Sequence, residues 1–298
     1  MMKFFSIKWT VSDVEAPILL REFLKQKQIS KAALTDIKFH GGALFVNDAD
    51  STVRKLLKAG DVVTVCFPPE VKSDSMEAED IPLDIVFEDD HFLVLNKPPA
   101  MPTIPSLYQP KGSLAAAVLY YYERNKIPAT FHAVNRLDKD TSGIVLVAKH
   151  RFAHSLMSQQ QKAKTIKREY VAFVHGNVVN EKGTVNSPIG RNPESIIERM
   201  VREDGQPSIT HYEKLDYDPE FDFSVVRLVL ETGRTHQIRV HMASIGHPLL
   251  GDDLYGGSQK LIMRQALHSE KTTFTHPFTN ESIQLCLTLP DDMNVLLK

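Results

Sequence analysis

An apolar run, Ile144-Val145-Leu146-Val147-Ala148, follows directly on a charged turn, Arg136-Leu137-Asp138-Lys139-Asp140-Thr141-Ser142-Gly143. Consecutive apolar positions rich in β-branched residues read as a strand buried in the core of a sheet. The turn ahead of it is therefore anchored, and a carboxylate beside an arginine on an anchored loop is a common way to present a catalytic group. Asp138 is the candidate: a carboxylate is ionised at neutral pH and acts as a nucleophile when it is held in place and freed of water. Taken alone, Asp138 or Asp140 reads better as the cap of a turn.

Other segments place this strand in a larger fold. Ile85 to Glu88 and Phe92 to Lys97, split by an acidic turn and stopped by Pro98, predict an antiparallel hairpin. Helices are predicted over 112–125, 151–164 and 235–245, the last stopped by Gly246 and Pro248, and strands over 168–176 and 223–230. Strands interspersed with helices argue an α+β class, with a mixed, mainly antiparallel sheet and flanking helices. Residues 1–75 read as a separate small α/β domain: a helix around Ile18 to Leu24, a second capped by Ser30, a strand and turn at Gly41 to Asp48, and a turn and strand at Leu57 to Val65. A polar, acidic, self-repelling linker over 76–82 separates it from a large domain over 83–298.

Composition narrows the class further. The 298 residues carry 42% apolar side chains, enough for a sizeable core, and no apolar run long enough to cross a membrane. No secretory leader is recognisable, and Cys66 and Cys286 have no metal-ligand spacing; two buried, reduced thiols in a cytoplasmic protein are expected. The net charge of −2 argues weakly against nucleic acid, but the charge is segregated: residues 74–90 hold eight acidic and no basic side chains, residues 132–176 eight basic and three acidic. A positive face is compatible with the near-neutral total, and so is an ordinary solvated helix face.

Two further blocks can carry chemistry. In Lys167-Arg168-Glu169-Tyr170-Val171-Ala172 the strand period puts Arg168, Tyr170 and Ala172 on one face, where the tyrosine ring either stacks on a ligand or fills the core. In Gly233-Arg234-Thr235-His236-Gln237-Ile238-Arg239-Val240-His241, a strand-to-helix junction offers backbone N–H groups and Arg234 to an anion, and Arg239, one turn into the helix, can pair with Asp138. His236 and His241 are five apart, off the one-face spacing of a helical metal pair.

Arg136-Leu137-Asp138-x-x-Thr141-Ser142-Gly143, the Tyr170 strand and the Gly233-to-His241 block, in this order, resemble the RluA-type pseudouridine synthases from about residue 85 to the C-terminus. The N-terminal segment, with Gly42-Ala43-Leu44-Phe45-Val46-Asn47-Asp48 and Leu57-Lys58-Ala59-Gly60-Asp61-Val62, resembles the S-four-like RNA-binding domain, with Asp48 in place of its usual last glycine. The resemblance implies a central RNA-binding cleft, Asp138 as nucleophile, Tyr170 stacking on a flipped uracil, Arg239 as the partner of Asp138, and Arg136 helping to displace the base. Asn135, Lys139, Arg168 and Arg234 then become RNA contacts, joined by Arg21, Lys25 and Lys31 of the small domain. One departure stands at Asn135, where the family commonly has histidine.

The reaction so implied is an isomerisation, so no cofactor and no metal are expected. The expected partner is RNA, ribosomal ahead of transfer RNA, met by a monomer. The competing expectation is a non-catalytic RNA-binding or ribosome-assembly factor on the same fold. A glycosidase would need a second carboxylate apart from Asp138, and Asp140 lies in the same short turn.

Overall fold

In a computed structural model of the chain, residues 5–70 and 76–297 are described. The N-terminal part contains β1 (Ser6–Thr10), β2 (Ile18–Leu19), α1 (Leu20–Gln26), α2 (Lys31–Phe39), β3 (Ala43–Val46), β4 (Ala49–Asp50), β5 (Leu56–Leu57) and β6 (Val62–Cys66). Its four-stranded sheet runs β1-β6-β3-β4, and β2 pairs with β5. Ser30 caps α2 by accepting the Ala33 N–H at 3.1 Å, as the sequence predicts.

The larger part begins with β7 (Ile85–Glu88), β8 (Phe92–Lys97), α3 (Leu114–Arg124), β9 (His132–Ala133), β10 (Ser142–Ala148), α4 (Arg151–Lys162) and β11 (Lys167–His175). It continues with β12 (Lys182–Asn186), the small hairpin β13 (Ile189–Arg191) and β14 (Arg199–Val201), then β15 (Ile209–Asp218), β16 (Phe223–Leu230) and α5 (Gln237–Ser244). It ends with β17 (Leu267–Thr275), β18 (Ser282–Cys286) and α6 (Asp291–Asn294). Its central sheet runs β12-β15-β16-β11-β17-β10-β8-β7, with β18 beside β17 and β9 beside β10. Every pairing in it is antiparallel except β10 with β17. The mixed, mainly antiparallel α+β architecture expected from the sequence is the one observed.

All seven residues of β10 are buried. One face of the sheet packs on α3 and α5 through Leu114, Val118, Tyr122, Ile238 and Met242; the other packs on α4 through Ala153 and Met157. α4 serves two cores at once. Its Phe152 and Leu156, four apart on a second stripe, enter the core of the N-terminal part beside Phe23, Leu24 and Phe67.

Two expectations are corrected here. The acidic segment is not a free, self-repelling linker in its described residues. Glu79 accepts the Gly112 N–H at 3.0 Å and donates its own N–H to the Ala116 carbonyl, while Asp80 accepts the Tyr120 hydroxyl. Its carboxylates thus find donors on and before α3; residues 71–75 lie outside the described part. Nor are the cysteines buried: Cys66 is half-buried and Cys286 is exposed, because β18 lies off the path of the main sheet with only alternate residues half-covered. Both are free thiols.

Candidate active site

The turn between β9 and β10 is held rigid from below. Thr103 Oγ1 both donates to the Leu137 carbonyl (2.8 Å) and accepts the Leu137 N–H (3.1 Å). The Lys97 ammonium is fully buried and donates to the carbonyls of Pro98, Met101 and Lys139 at 2.7 to 2.9 Å. Burial pulls its pKa down to about 7, but three carbonyl acceptors call for all three hydrogens of the charged form. Arg264 donates to the Asp140 carbonyl at 3.0 Å, and Thr141 donates its N–H back to Asp138 O. The Asp138 carboxylate is thus carried on a loop whose backbone has little freedom, with 27% of its side chain accessible.

Gly143 ends this turn at φ +111°, and a Cβ there would clash with the Ser269 backbone, its carbonyl oxygen first. Only glycine lets β10 approach β17 this closely.

Opposite the loop lies the start of α5. Arg239 is 7% exposed and forks onto buried Asp252, Nε to Oδ2 at 2.7 Å and Nη2 to Oδ1 at 2.8 Å, leaving Nη1 3.3 Å from Asp138 Oδ2. Burial works against the guanidinium's charge, but the Asp252 hydrogen bonds outweigh it and hold the pKa above the usual arginine value. Tyr255 lies beneath, its ring centre 4.9 Å from the guanidinium carbon. His236, the N-cap of α5, puts Nε2 3.9 Å from Asp138 Oδ2.

Between loop and helix opens a cleft of about 950 Å³. Asp138, Tyr170 and Arg239 all line it, with seven Lys or Arg side chains against two carboxylates, so the positive potential is local to this face. Tyr170 is 5% exposed, and burial pushes its phenol pKa up, so the ring meets the cleft as a neutral, largely apolar surface.

Of the other expected contacts, Arg136, Lys139, Arg168 and Arg234 line the cleft. Arg168 does so with a buried Nε that has no hydrogen-bond partner among the described residues. Arg21, Lys25 and Lys31 stand on α1 and α2 and do not line it. Asn135 also lines the cleft. It is 7% exposed, its amide donates to Ile144 O at 3.1 Å and its oxygen accepts the Leu146 N–H at 2.8 Å. Both halves of the side chain serve the edge of β10, so within the cleft wall it braces the loop. The anion site expected at the helix start is also narrower than expected, because Gln237 Oε1 already accepts the Arg234 N–H. His236 and His241 serve separate networks; His241 bonds Thr210 and the Ser187 carbonyl.

Lys97, Thr103, Asp252, Tyr255 and Arg264 carry the site and are not foreseen from the sequence. Asn96-Lys97-Pro98 at a strand end is the one available signal, since a lysine closing a buried strand must find acceptors. Asp252 lies just past Gly246 and Pro248, which stop the last predicted helix, where no pattern singles out a carboxylate for the site.

Comparison with known proteins supports one family. The family described as "RNA pseudouridylate synthase" matches residues 91–244. The chain is 51% identical over 279 residues to the "Uncharacterized RNA pseudouridine synthase YjbO" of Bacillus subtilis, covering 94% of this chain and 98% of that one. It is 35% identical over 284 residues to the "Ribosomal large subunit pseudouridine synthase D" of Xanthomonas campestris, covering 91% and 84%. Among solved structures, "Human RNA Pseudouridylate Synthase Domain Containing 1" aligns with a TM-score of 0.58 at 27% identity, over 71% of this chain and 85% of that one.

Proposed function

This chain belongs to the family of RNA pseudouridylate synthases, and on that premise we propose that its cleft isomerises uridine in large-subunit ribosomal RNA with Asp138 as the nucleophile. The ribosomal substrate is supported by relatives named for the large ribosomal subunit in several bacteria. The observation that carries the nucleophile is the braced Asp138 loop, open to a basic cleft, with Arg239 at 3.3 Å.

The chain's side chains divide the work. Lys139, Arg168 and Arg234 hold the phosphate backbone around the site. The target uridine leaves its stack, at a cost of a few kcal/mol, and Arg136 fills the place it vacates. The freed uracil lies against Tyr170. Asp138 acts as its N-glycosidic bond breaks; the ring turns, carbon 5 bonds to the ribose, N1 gains a proton and carbon 5 loses one. Arg239, neutralised from behind by Asp252, keeps Asp138 oriented throughout. The walls around Tyr170 keep water from the detached base.

Residues 1–75 act in this reading as an S-four-like RNA-binding domain, with Arg21, Lys25 and Lys31 touching the substrate outside the cleft. The protein works as a cytoplasmic monomer and needs no metal. Among the described residues no helix is long and apolar enough to cross a membrane.

Asp138→Asn is expected to end tritium release from carbon-5-tritiated ribosomal RNA while RNA affinity stays at the wild-type level. Wild-type release by this variant overturns the nucleophile. RNA binding by the wild-type protein with no release on any RNA supports the competing, non-catalytic reading. Pseudouridine maps of total RNA with and without the gene test the substrate: a missing site in transfer RNA, and none in the large ribosomal RNA, overturns that assignment.

A further inference from the structure

We infer that His236 is a positioning residue that, together with Arg239, holds Oδ2 of Asp138 and leaves Oδ1 as the oxygen facing the uridine. The inference rests on the assignment of Asp138 as nucleophile.

His236 adopts φ +57°, a left-handed conformation that, after glycine, asparagine, aspartate and histidine tolerate best. Its imidazole is held between two partners. Nδ1 lies 2.7 Å from the Tyr255 hydroxyl, and Nε2 lies 3.9 Å from Asp138 Oδ2. The Tyr255 oxygen already accepts the Arg199 N–H at 2.9 Å. With that N–H in place, the hydroxyl's single proton is directed to Nδ1. Nδ1 is therefore the lone-pair nitrogen, and the ring proton sits on Nε2, pointing at the carboxylate. Burial lowers the imidazole pKa against the pull of Asp138, so the ring works as a neutral donor.

Two donors thus converge on one carboxylate oxygen, Arg239 Nη1 at 3.3 Å and His236 Nε2 at 3.9 Å, and among the described residues no donor reaches Oδ1. At 3.9 Å the histidine contact is longer than a hydrogen bond. Catalytic hydrogen bonds are often long in a free enzyme and tighten around the substrate. The tyrosine fixes the tautomer beforehand, so closure requires movement but no proton exchange.

The test compares two amides at one position. In His236→Asn the amide reaches the place of Nδ1 and Tyr255 but not Asp138, and asparagine is at home in the left-handed backbone. In His236→Gln the amide nitrogen reaches the place of Nε2, on a less favourable backbone. A merely structural histidine predicts Asn to be the better replacement. Positioning predicts the reverse. Single-turnover rates are measured on carbon-5-tritiated total ribosomal RNA from cells lacking the gene, with RNA affinity measured in parallel. The expected result is a fall of about tenfold for Asn, the size of one hydrogen bond to a charged group, with most of the rate regained in Gln and wild-type affinity in both. Tyr255→Phe, which frees the tautomer, is expected to fall between them. Equal rates for Asn and Gln, or affinity falling in step with rate, overturn the inference. Asp138→Asn is run alongside. If it turns over at the wild-type rate, the nucleophile assignment falls and this inference with it; if it is dead while Asn and Gln are equal, the inference alone falls.

Discussion

The guanidinium of Arg239 has five N–H groups, and the structure divides them between two carboxylates. Nε and Nη2 fork onto Asp252 and Nη1 turns to Asp138, so the tight pair is not the one with the proposed nucleophile. Asp252 is 1% exposed, and breaking a buried pair leaves an uncompensated charge behind. Asp252→Asn is therefore expected to cost about 3 kcal/mol in urea unfolding and to lower turnover, because Arg239 is then free to swing. Unchanged stability would show that Asp138 alone satisfies the arginine. At this scale the sequence points correctly to the approach of Arg239 to Asp138, since both stand in dense, ordered polar blocks. It says nothing of Asp252, whose role depends on a turn that brings it back under α5. Nor does it show that both halves of the Asn135 side chain hold the backbone of β10, nine and eleven residues on.

Among the elements, β10 is the strand on which the site hangs. Its parallel contact with β17 is possible because residue 143 has no side chain. Gly143→Ala is expected to destabilise the fold by about 3 kcal/mol or more, since the clash is with backbone that cannot rotate away and the φ is strained for alanine. A chemical-denaturation midpoint within error of wild type rejects that account. Strongly patterned elements are legible in advance: β16 falls on the predicted 223–230, and α3 and α4 within a residue or two at each end. Among the unpredicted ones are two long strands of the central sheet, β15 and β17. β15 runs half-covered and polar, and β17 buries His268, Ser269 and Thr272 in the middle of the sheet. A strand whose buried face is polar lacks the alternation that betrays strands, and only its neighbours show where it lies.

For the molecule as a whole, α4 joins the two parts, and a cluster of rings closes the seam. Phe5 stacks on His150 at 3.6 Å, Phe278 stacks on His91 at 3.7 Å, and the two imidazoles meet at 3.1 Å. His150 also caps α4 by accepting the Ala153 N–H, so its Nδ1 carries no proton. Burial first, then His91 and His132, with Glu70 opposing, hold its pKa down to about 3 from an ordinary 6.5. Between those values the unfolded chain binds a proton that the native one refuses, so stability rises with pH through the window and is lost as pH falls from about 6.5 towards 3. His150→Asn keeps a capping oxygen and removes the titration; its stability is expected to fall less steeply over that range, and a slope equal to wild type discounts His150 as the cause. The net charge of −2 conceals the cleft's seven cations against two carboxylates, because a sum carries no positions. The sequence by itself determined the local chemistry: which runs must be buried, where a carboxylate turn precedes a strand, and which blocks carry arginine and tyrosine. Those follow from periodicity and residue type, which act over a few neighbours. Only the tertiary structure decided that Lys97, Thr103 and Arg264 brace the Asp138 loop, that Asp252 and Tyr255 set Arg239 and His236, and that Asn135 holds the backbone of β10. Each of these depends on groups from 9 to 124 residues apart meeting within hydrogen-bond range, and chain order alone does not specify such meetings.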